Sequence, residues 1–163
     1  MSEGIDIRST VPGLINASCP TSDVYTGGQP SPDEIERLAE AGIRTIVDLR
    51  PPQEQRGFDE AAVAGAAGVE YVSLPVTYSG IPGETFDRFR EIMRSEERKP
   101  FLVHCRSGNR VGALLVPYLI LDEGRTPNEA VQIAIRAGLA SQALLNIAMA
   151  YVQRVGRQEA GSE

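Results

Sequence analysis

A seven-residue segment in the second half of the chain combines residue types that suit nucleophilic chemistry on an anion. It runs from His104 to Arg110 and contains a cysteine, Cys105, with an arginine five residues after it. A thiolate can attack an electrophilic centre and form a covalent intermediate. The planar guanidinium of Arg110 can bind two oxygens of an oxyanion. The spacing therefore predicts covalent catalysis at Cys105, with Arg110 as the oxyanion clamp.

The elements around this segment are those that create an anion site. An apolar run, Phe101–Val103, precedes it and predicts a buried strand, and an apolar helix follows Arg110. Backbone N–H groups at a helix N-terminus bind anions and favour the thiolate form of a nearby cysteine. His104 precedes Cys105 along a strand, so the two side chains point to opposite faces, and we interpret His104 as a supporting residue rather than a base. The residues expected to bind the anion are Arg106, Ser107, Gly108 and Asn109.

Strands and helices alternate along the rest of the chain. Short apolar runs predict strands at 24–26, 45–49 and 69–74, and capping boxes that begin at Ser31 and Thr126 start two helices. This alternation indicates an α/β fold with a mainly parallel sheet and helices on both faces. We expect an N-terminal arm at 1–21, a single domain at 22–155 and a polar tail at 156–163. Ligands of such folds bind beyond the carboxyl ends of the strands, where Cys105 lies.

Composition excludes several functional classes. A formal net charge of -6 argues against binding to nucleic acid or to an anionic membrane surface. The chain has neither a secretory signal pattern nor an apolar run of about 18 residues, so we expect a cytoplasmic protein. One histidine and two cysteines, expected to be reduced, are too few for a structural zinc site. No metal or organic cofactor is implied, and the oligomeric state stays open.

The segment Val103–Arg110 resembles the active loop of cysteine-dependent phosphatases. The wider pattern resembles the dual-specificity-phosphatase-like domains of bacteria, including those fused to β-lactamase-like hydrolases. The resemblance runs from about Val24 to Leu139, and the matching segments are Gly27–Ser31, Gly42–Arg50 and Leu74–Val76. It implies a hydrolase in which Cys105 attacks a phosphoester and forms a phosphocysteine that water then cleaves. The implied substrate is a phosphotyrosine or phosphoserine protein or a small phosphoester.

The chain departs from that family pattern in three ways. The arginine stands five rather than six residues after the cysteine, and Val111 replaces the usual serine or threonine after it. The loop at 75–80 carries no aspartate that could act as general acid. Glu84 and Asp87 follow this loop and are the weak candidates for that role, although Asp87 falls on the polar face of a predicted helix. A missing acid lowers the rate by roughly 10² to 10⁴.

Two other functions stay open. The short loop is similar to that of rhodaneses, whose cysteine carries sulfur as a persulfide and needs no acid, although the rest of the chain does not resemble a rhodanese. Alternatively, the loop could bind phosphate or another oxyanion on a partner without turnover.

Elsewhere, Arg50 follows a strand end and Tyr78 lies on a neighbouring loop, so both are expected to contact substrate. Asp48 lies within an apolar strand and needs buried partners, which predicts that it anchors the active loop.

Overall fold

The fold is built on a five-stranded sheet, of which four strands are parallel. A computed structural model describes residues 4–161, and the strands have the spatial order β1-β2-β5-β3-β4. Only β1, at one edge, is antiparallel to its neighbour, and β2, β5, β3 and β4 run parallel. The strands are β1 (Ser18–Thr21), β2 (Val24–Gly27), β3 (Thr45–Asp48), β4 (Glu70–Ser73) and β5 (Phe101–His104).

Helices cover both faces of the sheet because successive strand residues point to opposite sides. Ile46 and Leu102 pack on one face against α1, α2 and α3, whereas Val47 and Val103 pack on the other against α4 to α7. The helices are α1 (Ile7–Thr10), α2 (Pro32–Ala41), α3 (Glu60–Ala66), α4 (Gly83–Met93), α5 (Asn109–Leu121), α6 (Pro127–Ala137) and α7 (Gln142–Gly161). None of these helices has the length and apolarity needed to cross a bilayer.

The predicted fold class is confirmed, as are the local signals that start the helices. Ser31 and Thr126 each accept a hydrogen bond from the backbone of the third helical residue, and a glutamate at that position closes each capping box. Both helices end at a glycine with positive φ, Gly42 and Gly138. The sequence therefore carried enough local information to place these helices.

The segments predicted as an N-terminal arm and a polar tail both contain regular secondary structure. Residues of the N-terminal arm form α1 and β1, and Ile7, Val11 and Leu14 are buried. Strand β1 has the sequence Ser-Cys-Pro-Thr, which lacks an apolar run, and its proline is tolerated because the strand lies at an edge. At the other end, α7 continues through Gly161 and so includes most of the polar tail.

Strand register brings four turns together at one edge of the sheet. Gly27 pairs with His104, His104 with Asp48, and Asp48 with Ser73, so all four parallel strands end in one row. The segments that follow them therefore meet at the carboxyl edge, as expected for this fold.

Candidate active site

Cys105 lies at the bottom of a tight turn between β5 and α5. The turn ends at Gly108, the N-cap of α5, whose φ of 101° lies in the left-handed region that favours glycine. The backbone N–H of Gly108 donates to the Cys105 sulfur at 3.1 Å, and the sulfur is buried. An N–H donor at a helix N-terminus stabilises negative charge on that sulfur. The turn therefore has the geometry expected for a cysteine nucleophile.

Arg110 lies in the first turn of α5 with its guanidinium buried and held along one edge. Its two terminal nitrogens donate to the carboxylate of Glu54 at 2.6 and 3.0 Å, and one also donates to the carbonyl of Val76 at 3.1 Å. Burial acts to lower the pKa of Arg110, but the Glu54 hydrogen bonds and the nearby Cys105 outweigh it and raise that pKa. Within residues 4–161 the buried Nε of Arg110 has no hydrogen-bond partner. This donor remains available for an oxyanion.

Glu54 is a site residue that the sequence reasoning missed. It lies on the segment between β3 and α3 and also accepts from Arg50 Nε at 2.9 Å. The hydrogen bonds from Arg110, together with that from Arg50, lower the pKa of Glu54 from 4.5 to about 2, although partial burial opposes them. Glu54 is therefore ionised near neutral pH and positions Arg110 rather than supplying a proton. In the sequence, the only indication of this role is that Glu54 lies between two arginines, Arg50 and Arg56.

A buried polar cluster lies behind Cys105 and involves His104. The ring Nε2 of His104 lies 2.5 Å from a carboxylate oxygen of Glu60, and Nδ1 lies 3.2 Å from the carbonyl oxygen of Cys105. Asp48 accepts from Arg56 at 2.9 Å and from the hydroxyl of Tyr71 at 2.6 Å. Burial and these carboxylates raise the pKa of Tyr71 far above its usual value, so Tyr71 stays neutral.

The same cluster has the donor types of a metal site. Ligand atoms of Asp48, Glu60 and His104 lie within 4.8 Å of one another. However, the Arg56 guanidinium lies 2.8 Å from Asp48 and 3.6 Å from Glu60, so a protein cation already occupies the position of a metal. Asp48, which was predicted to anchor the active loop, has a carboxylate oxygen 3.8 Å from Nε2 of His104 in that loop. Its hydrogen bonds come from Arg56, from the hydroxyl of Tyr71 on β4 and from the backbone N–H of Arg50.

Neighbouring segments hold the active loop from outside. The side-chain amide of Asn16 donates to the carbonyl of Ser107 at 2.7 Å. A Cβ on Gly28 would lie 2.6 Å from the carbonyl oxygen of Arg106, so only glycine allows this approach. The side chain of Asn109 accepts from the backbone N–H groups of Ala140 and Ser141 just before α7. The carbonyls of Arg106 and Ser107 therefore lie against neighbouring segments, and the side chain of Asn109 joins the loop to the start of α7.

Four other residues predicted to bind substrate differ in where their side chains lie. Arg106 is exposed beside an open recess of about 490 Å³, which Arg50 and Ile15 also line. Arg50 is itself buried and donates to Glu54, Gln29 and the carbonyl of Gln55. The ring of Tyr78 is 53% exposed, and its centroid lies 4.9 Å from the Arg110 guanidinium carbon, where it can cover a bound substrate. The side chain of Asn109 points toward α7, so only its backbone can face the loop.

The two candidates for the general acid lie on α4. Glu84 is exposed in its first turn, and Asp87 is exposed and accepts a hydrogen bond from the hydroxyl of Tyr151. Tyr151 belongs to α7, so this contact joins two helices on one face of the sheet. Neither of these side chains contacts the active loop in the part of the chain that the structure describes.

Comparison with known proteins identifies the family. The chain has the fold of cysteine phosphatases. It superposes on a putative phosphatase (DUF442) of Shewanella putrefaciens CN-32 with a TM-score of 0.74 and 26% identity, over 88% of this chain and 97% of that one. Residues 14–148 match the model of a family described as DSP-PTPase phosphatase fused to NAD+ kinase. The chain therefore belongs to this family of phosphatases.

Curated relatives agree with that assignment. A β-lactamase hydrolase-like protein of Xylella fastidiosa is 36% identical over 109 residues, which are 64% of this chain and 25% of the relative. The dual specificity protein phosphatase TpbA of Pseudomonas aeruginosa is 26% identical over 132 residues, 80% of this chain and 58% of TpbA. The chain thus spans about a quarter of the first relative and somewhat over half of the second.

Proposed function

We propose that the chain hydrolyses phosphomonoesters through a phosphocysteine at Cys105. The observation that carries this proposal is that a nucleophile and an anion-binding donor belong to the same turn. The Cys105 sulfur accepts an N–H bond at a helix N-terminus, and the buried Nε of Arg110 has no partner within residues 4–161. A phosphoryl group bound between them would lie against the nucleophile, with its charge balanced by the guanidinium and the loop amides.

The reaction has two displacement steps. The Cys105 thiolate attacks phosphorus, an S–P bond forms, and the P–O ester bond breaks as the alcohol oxygen leaves with the bonding electrons. Water then attacks phosphorus, the S–P bond breaks, and phosphate and the thiolate are released. Glu54 has a pKa of about 2 and cannot protonate the leaving group at neutral pH. We therefore expect solvent to supply that proton, which favours esters whose leaving groups are already acidic.

The substrate class is an extension of this proposal. TpbA is a dual specificity protein phosphatase, which supports phosphorylated side chains as substrates. The open recess beside Arg106 is also large enough for a small phosphoester. Phosphotyrosine and phosphoserine peptides, compared with a small aryl phosphate, would rank these substrates. No contact in the site favours sulfur transfer, and the family match supports phosphatase chemistry over the rhodanese and binding-only alternatives.

The deciding experiment compares the wild type with Cys105→Ser on a small aryl phosphate. We expect turnover by the wild type and none by the variant, since the serine hydroxyl is a far weaker nucleophile here. Trapping a phosphorylated cysteine by rapid acid quench would establish the intermediate. Equal rates for the two proteins would refute the proposal. Absence of turnover, combined with thiocyanate formation from thiosulfate and cyanide, would replace it with sulfur transfer.

A further inference from the structure

Gln29 lies where the active loop meets two buried networks. It follows Gly27 and Gly28 at the end of β2, and its backbone N–H donates to the carbonyl of Arg106 at 3.2 Å. Its side-chain amide has three further partners. The amide nitrogen donates to Glu60 at 2.7 Å and to the carbonyl of Pro30 at 3.0 Å, and the amide oxygen accepts from Arg50 at 2.9 Å. Gln29 thus contacts the loop with its backbone and two charged groups with its side chain.

One arm of the network leads from Gln29 to the nucleophile. Glu60 is 2% exposed. One of its carboxylate oxygens accepts from Gln29 and lies 3.6 Å from Arg56, and the other contacts His104. His104 in turn faces the carbonyl of Cys105 through its other ring nitrogen. The position of Glu60 therefore sets how the ring lies behind Cys105.

The other arm leads from Gln29 to the oxyanion clamp. Arg50 joins Gln29 to Glu54, and Glu54 holds both terminal nitrogens of Arg110. The two arms together form one hydrogen-bonded chain from the backbone of Cys105 to the guanidinium of Arg110. Gln29 is its central and uncharged member.

Chemistry explains why an amide suits this position. The guanidinium of Arg50 can only donate, and the Glu60 oxygen accepts from position 29, so the residue between them needs one acceptor and one donor. A carboxylate at position 29 would repel Glu60, and an apolar side chain would remove one hydrogen-bond partner from each of the two charged groups. This donor and acceptor pattern also fixes which end of the amide faces each partner.

We propose that Gln29 is a positioning residue that couples the orientation of Cys105 to that of Arg110. This inference rests on the proposed phosphatase function for its kinetic consequences, but not for its structural ones. The nucleophile must line up with the phosphorus while the guanidinium holds the oxygens, and a small misplacement of either lowers the rate steeply. Gln29 therefore affects the chemical step rather than the binding of the ground state.

The test compares Gln29→Leu and Gln29→Asn with the wild type and with Gln53→Leu. Gln53 is an exposed glutamine of the β3–α3 segment and serves as the matched control. Asparagine keeps the amide but is one methylene shorter, so it carries the test if the leucine variant does not fold. Kinetics on an aryl phosphate give kcat and KM. Because His104 is the only histidine of the chain, ¹⁵N spectra of the labelled imidazole report its environment directly.

We expect both Gln29 variants to lower kcat by about tenfold or more, with KM within about threefold of the wild type, and to shift both ring nitrogen signals. The control variant should change neither. Unchanged kcat, or a lowered kcat with unshifted histidine signals, would overturn the inference. A large rise in KM alone would also overturn it, because it would show that Gln29 contacts the substrate. If the wild type lacks phosphatase activity, the histidine signals and the affinity for inorganic phosphate still decide the role of Gln29.

Discussion

Replacement of Glu54 by glutamine tests whether a carboxylate is needed to hold Arg110. The change keeps the size of the side chain and removes its charge. Glu54 accepts at 2.6 and 3.0 Å from Arg110 and at 2.9 Å from Arg50, and glutamine would place an N–H group against one of these donors. The guanidinium should then lose its fixed orientation beside Cys105.

The expected loss of stability follows from the pKa of Glu54. The difference between 4.5 and about 2 corresponds to about 3 kcal/mol of favourable interaction with the ionised form. The Glu54 side chain is 33% exposed, so solvent screening reduces this contribution to about 1–2 kcal/mol. Because the pKa is lowered in the folded state, the stabilisation is fully present above about pH 4.5 and is lost as the pH falls toward 2.

Urea unfolding between pH 7 and pH 2.5 would measure this effect, with Glu97→Gln as a control at an exposed carboxylate. We expect the free energy of unfolding of Glu54→Gln to be about 1–2 kcal/mol lower than that of the wild type at pH 7. Near pH 2.5 the difference between the two proteins should be smaller. On an aryl phosphate, kcat should fall by about tenfold. A variant with the stability and kcat of the wild type at pH 7 would refute the role of Glu54.

Three further predictions concern the clamp and the active loop. Arg110→Lys should lower kcat on an aryl phosphate by about 10² or more, because an ammonium lacks the planar pair of donors with which a guanidinium binds two oxygens. A kcat near that of the wild type would contradict the role of Arg110 as oxyanion clamp. Asn16→Gly removes the bond to Ser107 and should cost about 1 kcal/mol in urea unfolding. Asn16→Ala should cost about 1 kcal/mol more because φ at this residue is 53°, and equal stabilities would refute that reason. Gly108→Ala should cost more unfolding free energy than Gly124→Ala. Both have positive φ, but only at position 108 would the Cβ meet a backbone oxygen at the end of α6, at 2.1 Å.

Much of the fold and the centre of the site could be predicted from local sequence. Capping boxes, glycines and short apolar runs act over a few residues, so they indicated α2, α6 and the parallel strands directly. The same holds for the segment from Cys105 to Arg110, where strand, turn and helix are contiguous. By contrast, β1 has no apolar run, and only its pairing with β2 defines it as a strand.

The partners of the active loop depended on contacts between distant parts of the chain. Glu54 and Arg110 are 56 residues apart, and Gln29 and Glu60 are 31 apart. In the sequence, such charged and amide residues are indistinguishable from solvated ones on loops, because their spacing carries no periodic signal. The sequence by itself determined that Cys105 follows a strand and that Arg110 begins a helix. Only the tertiary structure decided how Arg110 is oriented and which residues hold it, because the parallel register brings four strand ends to one edge before their side chains can meet.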